Sequence, residues 1–230
     1  MTWQVAVSAY IVLATAAYLL RRQLAQSIPD ANRIINAIFF VGFLYPLGVA
    51  IAVLSKPNLA IGWDNFVYVF FGSMLFPLVM VTAFNANKHI DAGLYTILNN
   101  LTPVVAIVCA YIFLAERLTS TQLTGSFIII GSAFLASLPK LKHHAKSNPV
   151  GIYFALISIV LLGLGVVFEK WMLGRMDFGA YLIFGWGAQA LWMAILAWPE
   201  RKQLKIVIAS KDFTKIKWYS ITNEIGRAHV

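Results

Sequence analysis

The sequence predicts an all-α, polytopic membrane protein, and three observations carry that prediction. The first is composition: 60% of the 230 residues are hydrophobic and 12% are charged, against roughly 25% charged in soluble domains. The second is the spacing of the charges. They leave seven uncharged stretches, at 1–20, 34–55, 65–87, 92–115, 118–139, 147–168 and 178–199, each 20 to 24 residues long. About 20 apolar residues at 1.5 Å rise cross the ~30 Å hydrocarbon layer as a helix. Inside lipid the backbone must satisfy its own hydrogen bonds, which stretches of this length do only as helices. The third is an absence: buried helices of a soluble protein need amphipathic neighbours to cover them, and the sequence supplies none.

The first stretch contains Ala14-Thr15-Ala16, which imitates a signal-peptide cleavage site. No basic residue precedes it, however, and Arg21-Arg22 follow it. It reads as a retained span. The fourth stretch holds Cys109, the only cysteine, so no intrachain disulfide or cysteine-rich metal site is expected. Its default role is that of a small buried hydrophobe. After the fifth stretch comes a basic linker, 140–148, with His143-His144. Adjacent histidines in such a loop read as solvated topology signals rather than metal ligands.

The net charge of +9 does not point to nucleic acid, because the charges sort by loop. Loops after spans one, three, five and seven carry Arg21, Arg22, Arg33, Lys88, Lys140, Lys142, Lys146, Arg201, Lys202, Lys205, Lys211, Lys215 and Lys217. Those after spans two, four and six carry only Lys56, Arg117, Lys170 and Arg175. Thirteen against four places the odd loops in the cytoplasm and the N-terminus outside. The lipid bilayer, with its anionic headgroups, is the expected contact of this surplus.

The chain also restarts. Shifted by 148 residues, Arg21-Arg22 falls on Glu169-Lys170, and Trp63-Asp64-Asn65 corresponds roughly to Trp218-Tyr219-Ser220. Five spans per unit is odd, so successive units lie in opposite orientations, as in inverted-repeat transporters. The expected organisation is a first unit at 1–139, the linker at 140–148 and a partial second unit at 149–223. Residues 224–230, Glu-Ile-Gly-Arg-Ala-His-Val, resemble the translation of a sequencing-library adapter. They are expected to be non-native, in a fragment inactive on its own.

Asn99-Asn100-Leu101-Thr102-Pro103-Val104-Val105-Ala106, running to Ala115-Glu116-Arg117-Leu118-Thr119, then Gln122-Leu123, Gly125 and Gly131, is the most specific signal. It resembles the hallmark of EamA-type proteins of the drug/metabolite transporter superfamily: a Thr-Pro fourth helix ending in Glu-Arg-Leu-Thr, then a glycine-bearing fifth. The resemblance implies ten helices in two inverted five-helix repeats, of which seven are present, and transport of small metabolites. The expected setting is a bacterial inner membrane.

The residues also argue for themselves. Pro103 removes a helix hydrogen bond and frees a carbonyl one turn earlier. Asn99, Asn100 and Thr102 lie beside it at mid-span, where amides facing lipid are costly. They are expected on the bundle interior, as substrate contacts or interhelical glue. Thr119-x-x-Gln122 reads as a capping box, Gly125 and Gly131 as close-approach surfaces, and Glu116-Arg117 as a local ion pair. Gln189, between Trp186 and Trp192, reads as the amide in an aromatic cavity wall or as a buried bonded amide. His89 and Asp91 form a solvated turn or a proton relay.

The leading functional expectation is a secondary transporter working by alternating access on a small organic solute. The alternative is a non-transporting subunit or a lipid-linked sugar flippase component. A retinal protein is excluded because 178–199 lacks lysine. No hydrolase or metalloprotease motif appears, so no enzyme, cofactor or metal is expected. A homodimer is left open.

Overall fold

In the computed structural model, the described residues are 19–21, 23–28, 31–117, 119–143, 148–209 and 214–218. Most of the first expected span, part of the linker and all of the adapter-like tail lie outside them. Among the described residues the elements are helical and no strand occurs. Five helices are long and apolar enough to cross a membrane: Asn32–Ser55, Trp63–His89, Gly93–Leu114, Pro149–Leu173 and Phe178–Glu200. They are the second, third, fourth, sixth and seventh expected spans. The fifth forms a helix, Ser120–His143, whose apolar part is the shorter Leu123–Ser132. The chain is a polytopic helical membrane protein.

Polar residues mark the helix starts. Asp91 accepts from the Leu94 N–H at 3.0 Å, Asn148 from Val150 at 3.0 Å ahead of Pro149, and Asp177 from Gly179 at 2.8 Å. Each satisfies a donor that the first turn leaves open. Two spans stop where a non-glycine residue turns left-handed, at Lys56 (φ 48°) and Ala115 (φ 52°).

Contacts between loops fix which ends lie together. At one end Asn32 donates to Asn85 at 3.1 Å, the Arg33 side chain meets Glu200 at 3.4 Å, and Asn148 approaches His89 at 3.5 Å. At the other, Lys170 pairs with Glu116 at 2.8 Å, and Gly179 abuts Ser55 and Pro57. Arg33, Lys88 and Arg201, from the described parts of the odd loops, thus belong to one end, and Lys56, Arg117, Lys170 and Arg175 of the even loops to the other. The Lys170 pair corrects one expectation. Glu116 reaches across to the sixth span rather than to its neighbour Arg117, because the left-handed turn at Ala115 redirects the chain there. His89 is exposed and Asp91 caps a helix.

Spans two, three and seven share the largest buried cluster, with Phe39, Phe40, Leu44, Phe84 and Met193 fully enclosed. Spans three, four and six share a second, around Ala83, Leu94, Tyr95 and Ala155. Large apolar side chains elsewhere point outward, such as Leu54 at 84% and Phe127 at 70% exposure, as lipid-facing positions do. Lipid offers no hydrophobic drive for helix association, so close packing at small residues carries it. A Cβ on Gly163 would stand 2.6 Å from Val105 Cγ1, and one on Gly72 would strike the Phe168 ring.

The Arg33–Glu200 contact is a clasp. Glu200 Oε2 accepts the Arg33 backbone N–H at 2.9 Å, and the guanidinium donates to the Leu196 carbonyl at 3.3 Å. Glu200 thereby caps the second span, whose own N-cap residue, Ala31, makes no side-chain cap bond. Its charge also complements the helix dipole. The two side chains are 40% and 23% exposed, which limits the pair to about 1 kcal/mol. Glu200→Arg is expected to lower the thermal midpoint in detergent by roughly 2–4 °C. The swap Arg33→Glu with Glu200→Arg should recover about half of that, the capping bond staying lost. A swap no better than the single change would refute the pairing.

Candidate functional site

Three spans are interrupted near their middles. The second changes from α-helix (Asn32–Phe39) to a π-helical turn (Phe40–Leu44) and back (Tyr45–Ser55). The third breaks at Ser73-Met74, between Trp63–Gly72 and Leu75–His89. The fourth breaks at Asn100-Leu101, between Ala92–Asn99 and Thr102–Leu114. The cause is the same in each. Pro46, Pro77 and Pro103 carry no N–H, so the carbonyls four residues earlier, on Gly42, Ser73 and Asn99, lose their α-helical donors. Those three carbonyls lie at or beside the three interruptions.

Side-chain contacts fix the levels of these breaks. The seventh span runs antiparallel to the second. A Cβ on Gly48 would stand 2.6 Å from the Trp186 ring, Tyr45 lies 3.1 Å from the Cβ position of Gly187, and Arg33 meets Leu196 and Glu200. On that register Gln189 is level with the π-turn. The second span is tied to the third by Asn32, which donates to the Val81 carbonyl at 3.4 Å and to Asn85. On that second register Ser73 is level with the same turn. The two registers converge on one depth.

The third span's break has a further consequence. The Met74 N–H bonds to the Phe71 carbonyl at 3.1 Å, one residue short of its α-helical acceptor, Phe70. The Phe70 carbonyl instead accepts the Trp192 indole N–H at 2.7 Å, and the two rings meet at 5.2 Å. A donor from the seventh span thus fills a vacancy opened in the third. Two polar atoms nearby are left unfilled. Gln189 Oε1 and Ser73 Oγ are buried without a hydrogen-bond partner among the described residues, on side chains 1% and 0% exposed. Such groups are rare in folded proteins.

The fourth span contributes a separate face. Tyr95, Asn99, Thr102, Ala106 and Cys109 recur at helical spacing; Tyr95 and Cys109 are buried and the other three half-buried. The Tyr95 hydroxyl meets Ser158 Oγ at 3.2 Å, and Thr102 donates to Asn99 Oδ1 at 3.3 Å. Asn100 and Pro103 fall on the exposed side. Thus Gln189 and Trp186 stand with the second and third spans, Asn99 and Thr102 face the sixth, and Asn100 is apart. Gly125 and Gly131 are half-buried with open space at their Cβ positions. Thr119 directly precedes the fifth helix, and its carbonyl accepts the Leu123 N–H at 3.0 Å.

Sequence reasoning missed Ser73 and the amide chain at the basic end. There Asn36 donates to Asn32 at 2.9 Å, and Asn32 to Asn85, beside the 5%-exposed Arg21. The Arg21 guanidinium lies 3.5 Å from Met80 Sδ and 5.9 Å from the Phe84 ring centroid. The signal for Ser73 was present: Pro77 stands four residues after it, as Pro103 does after Asn99.

No curated protein matches the chain. The sequence model of the EamA-like transporter family matches residues 2–138, more than half of it. With its helices, its interrupted spans and that match, the chain belongs to the EamA-like transporter family, of the drug/metabolite transporter superfamily.

Proposed function

We propose that this protein is a secondary transporter that moves a small organic solute by alternating access, holding it where spans two, three and seven meet. One observation carries the reading: the breaks of spans two and three share a depth with two buried polar atoms that have no hydrogen-bond partner among the described residues, Gln189 Oε1 and Ser73 Oγ. Interrupted helices at mid-depth are the usual way a membrane bundle offers polar groups to a solute. Trp186 lines the same wall. Asn99 and Thr102 make a second polar surface against span six, with Pro103 as the device that breaks the helix, and Asn100 lies apart from it on the exposed side. In uptake assays on cells expressing the protein, Gln189→Ala is expected to lower the rate at least about tenfold at equal membrane abundance. Undiminished uptake by both Gln189→Ala and Ser73→Ala would remove the site.

A second reading, a lipid-linked sugar flippase component, is favoured by one feature. A cleft of about 370 Å³ between spans three, four and six is lined only by apolar side chains, among them Leu75, Phe113, Val167 and Trp171. It would suit an acyl or prenyl chain, but it carries no group to read a sugar. We orient the basic end toward the cytoplasm, from the thirteen-to-four charge bias. A reporter enzyme active only in the cytoplasm, fused after Lys146, should therefore be active; an inactive fusion reverses the orientation.

A further inference from the structure

The site's chemistry restricts what it can hold. Its two unmet groups are a carboxamide oxygen and a hydroxyl, Gln189 Oε1 and Ser73 Oγ. A donor from a neighbouring turn, the Trp192 indole N–H, is already taken by the Phe70 carbonyl. The carboxamide oxygen only accepts, so a solute entering there must bring at least one donor, while the Ser73 hydroxyl can donate to it or accept from it. Charge is the second restriction. None of the seven apolar stretches contains Asp, Glu, Lys or Arg, so a charge at this depth meets no counter-charge from them and loses its hydration. The buried cation, Arg21, lies against Met80 and Phe84, seven residues beyond Ser73 and so about 10 Å nearer the basic end. The third restriction is shape. Trp186, Tyr45 and the Phe70–Trp192 pair surround this level with rings, surfaces on which a flat solute stacks.

From these three restrictions we infer that the solute is uncharged, carries amide or hydroxyl hydrogen-bond donors and presents a flat ring. This rests on the transporter reading above, and it fixes the substrate class that the family assignment leaves open.

The test is equilibrium binding to the purified chain in detergent, with matched probes in which an uncharged carboxamide bearing N–H donors is exchanged for a charged carboxylate without them. Nicotinamide is set against nicotinate and benzamide against benzoate, with phenylethylammonium as the cation and phenyl glucoside as a bulkier uncharged ring. The uncharged probes are expected to bind at least about tenfold more tightly than their charged counterparts. Gln189→Leu should weaken them by about tenfold, the effect of one lost hydrogen bond in a dry site. Should Gln189→Leu fail to fold, Ser73→Ala carries the same expectation. Charged probes that bind as tightly as uncharged ones, and still depend on Gln189, overturn the class and leave the site standing. Absence of binding by every probe, or binding indifferent to both substitutions, overturns the class and the site together.

Discussion

Gly163→Leu is expected to give the largest loss of stability. Spans four and six approach so closely that even a methyl on Gly163 would stand 2.6 Å and 2.9 Å from Val105 carbons and 3.1 Å from the Ala106 backbone nitrogen. Two of these neighbours give little: Val105 Cβ is a branch point held to the helix, and Ala106 N is backbone. Inserting side-chain volume into a packed interface costs about 1–3 kcal/mol, and an isobutyl group here belongs at the upper limit. For a chain of this size the thermal midpoint should fall by roughly 6–12 °C, read by fluorescence-detected gel filtration after heating. Gly125→Leu is the matched control, because nothing stands within 4 Å of its Cβ position. Equal losses from the two changes would refute the packing account.

Trp192→Ala should rank next. It removes a half-buried indole and leaves the Phe70 carbonyl, freed by the break at Ser73-Met74, without its 2.7 Å donor. Truncating a large aromatic costs about 3–5 kcal/mol when fully buried; half-burial places this change nearer 2–3. Trp192→Phe separates the two contributions by keeping a ring against Phe70 while deleting the N–H. It should lose about 1–3 kcal/mol, the cost of an unmet buried acceptor. A Phe variant as stable as the parent would mean that water or another donor reaches that carbonyl.

Much of this architecture was legible beforehand. Charge-free stretches of membrane length locate the helices, since nothing else lets lipid surround a backbone, and five stretches correspond to helices long enough to cross. Pro103 announced the interruption of the fourth span. The same arithmetic applied to Pro46 and Pro77 would have found the other two, and Ser73 with them. Gln189 stood out as an amide among tryptophans. That its oxygen lacks a partner depends on how span seven lies against spans two and three, which no local pattern encodes. The Glu116 pairing failed for a related reason. Sequence neighbours compete with a partner 54 residues away, Lys170, and only the turn at Ala115 decides between them.

The interruptions of spans two and three, which share a depth, also bear on how the bundle deforms. An unbroken helix of 25 residues resists bending along its whole length. A span whose bond ladder is cut halfway behaves as two stiff rods on a flexible joint. Placing the joints of neighbouring rods at one height gives the protein a plane of compliance parallel to the membrane surface. One leaflet's half of the bundle can then splay while the other keeps its packing, and the Arg33–Glu200 clasp sits at the far end of one of the levers so formed.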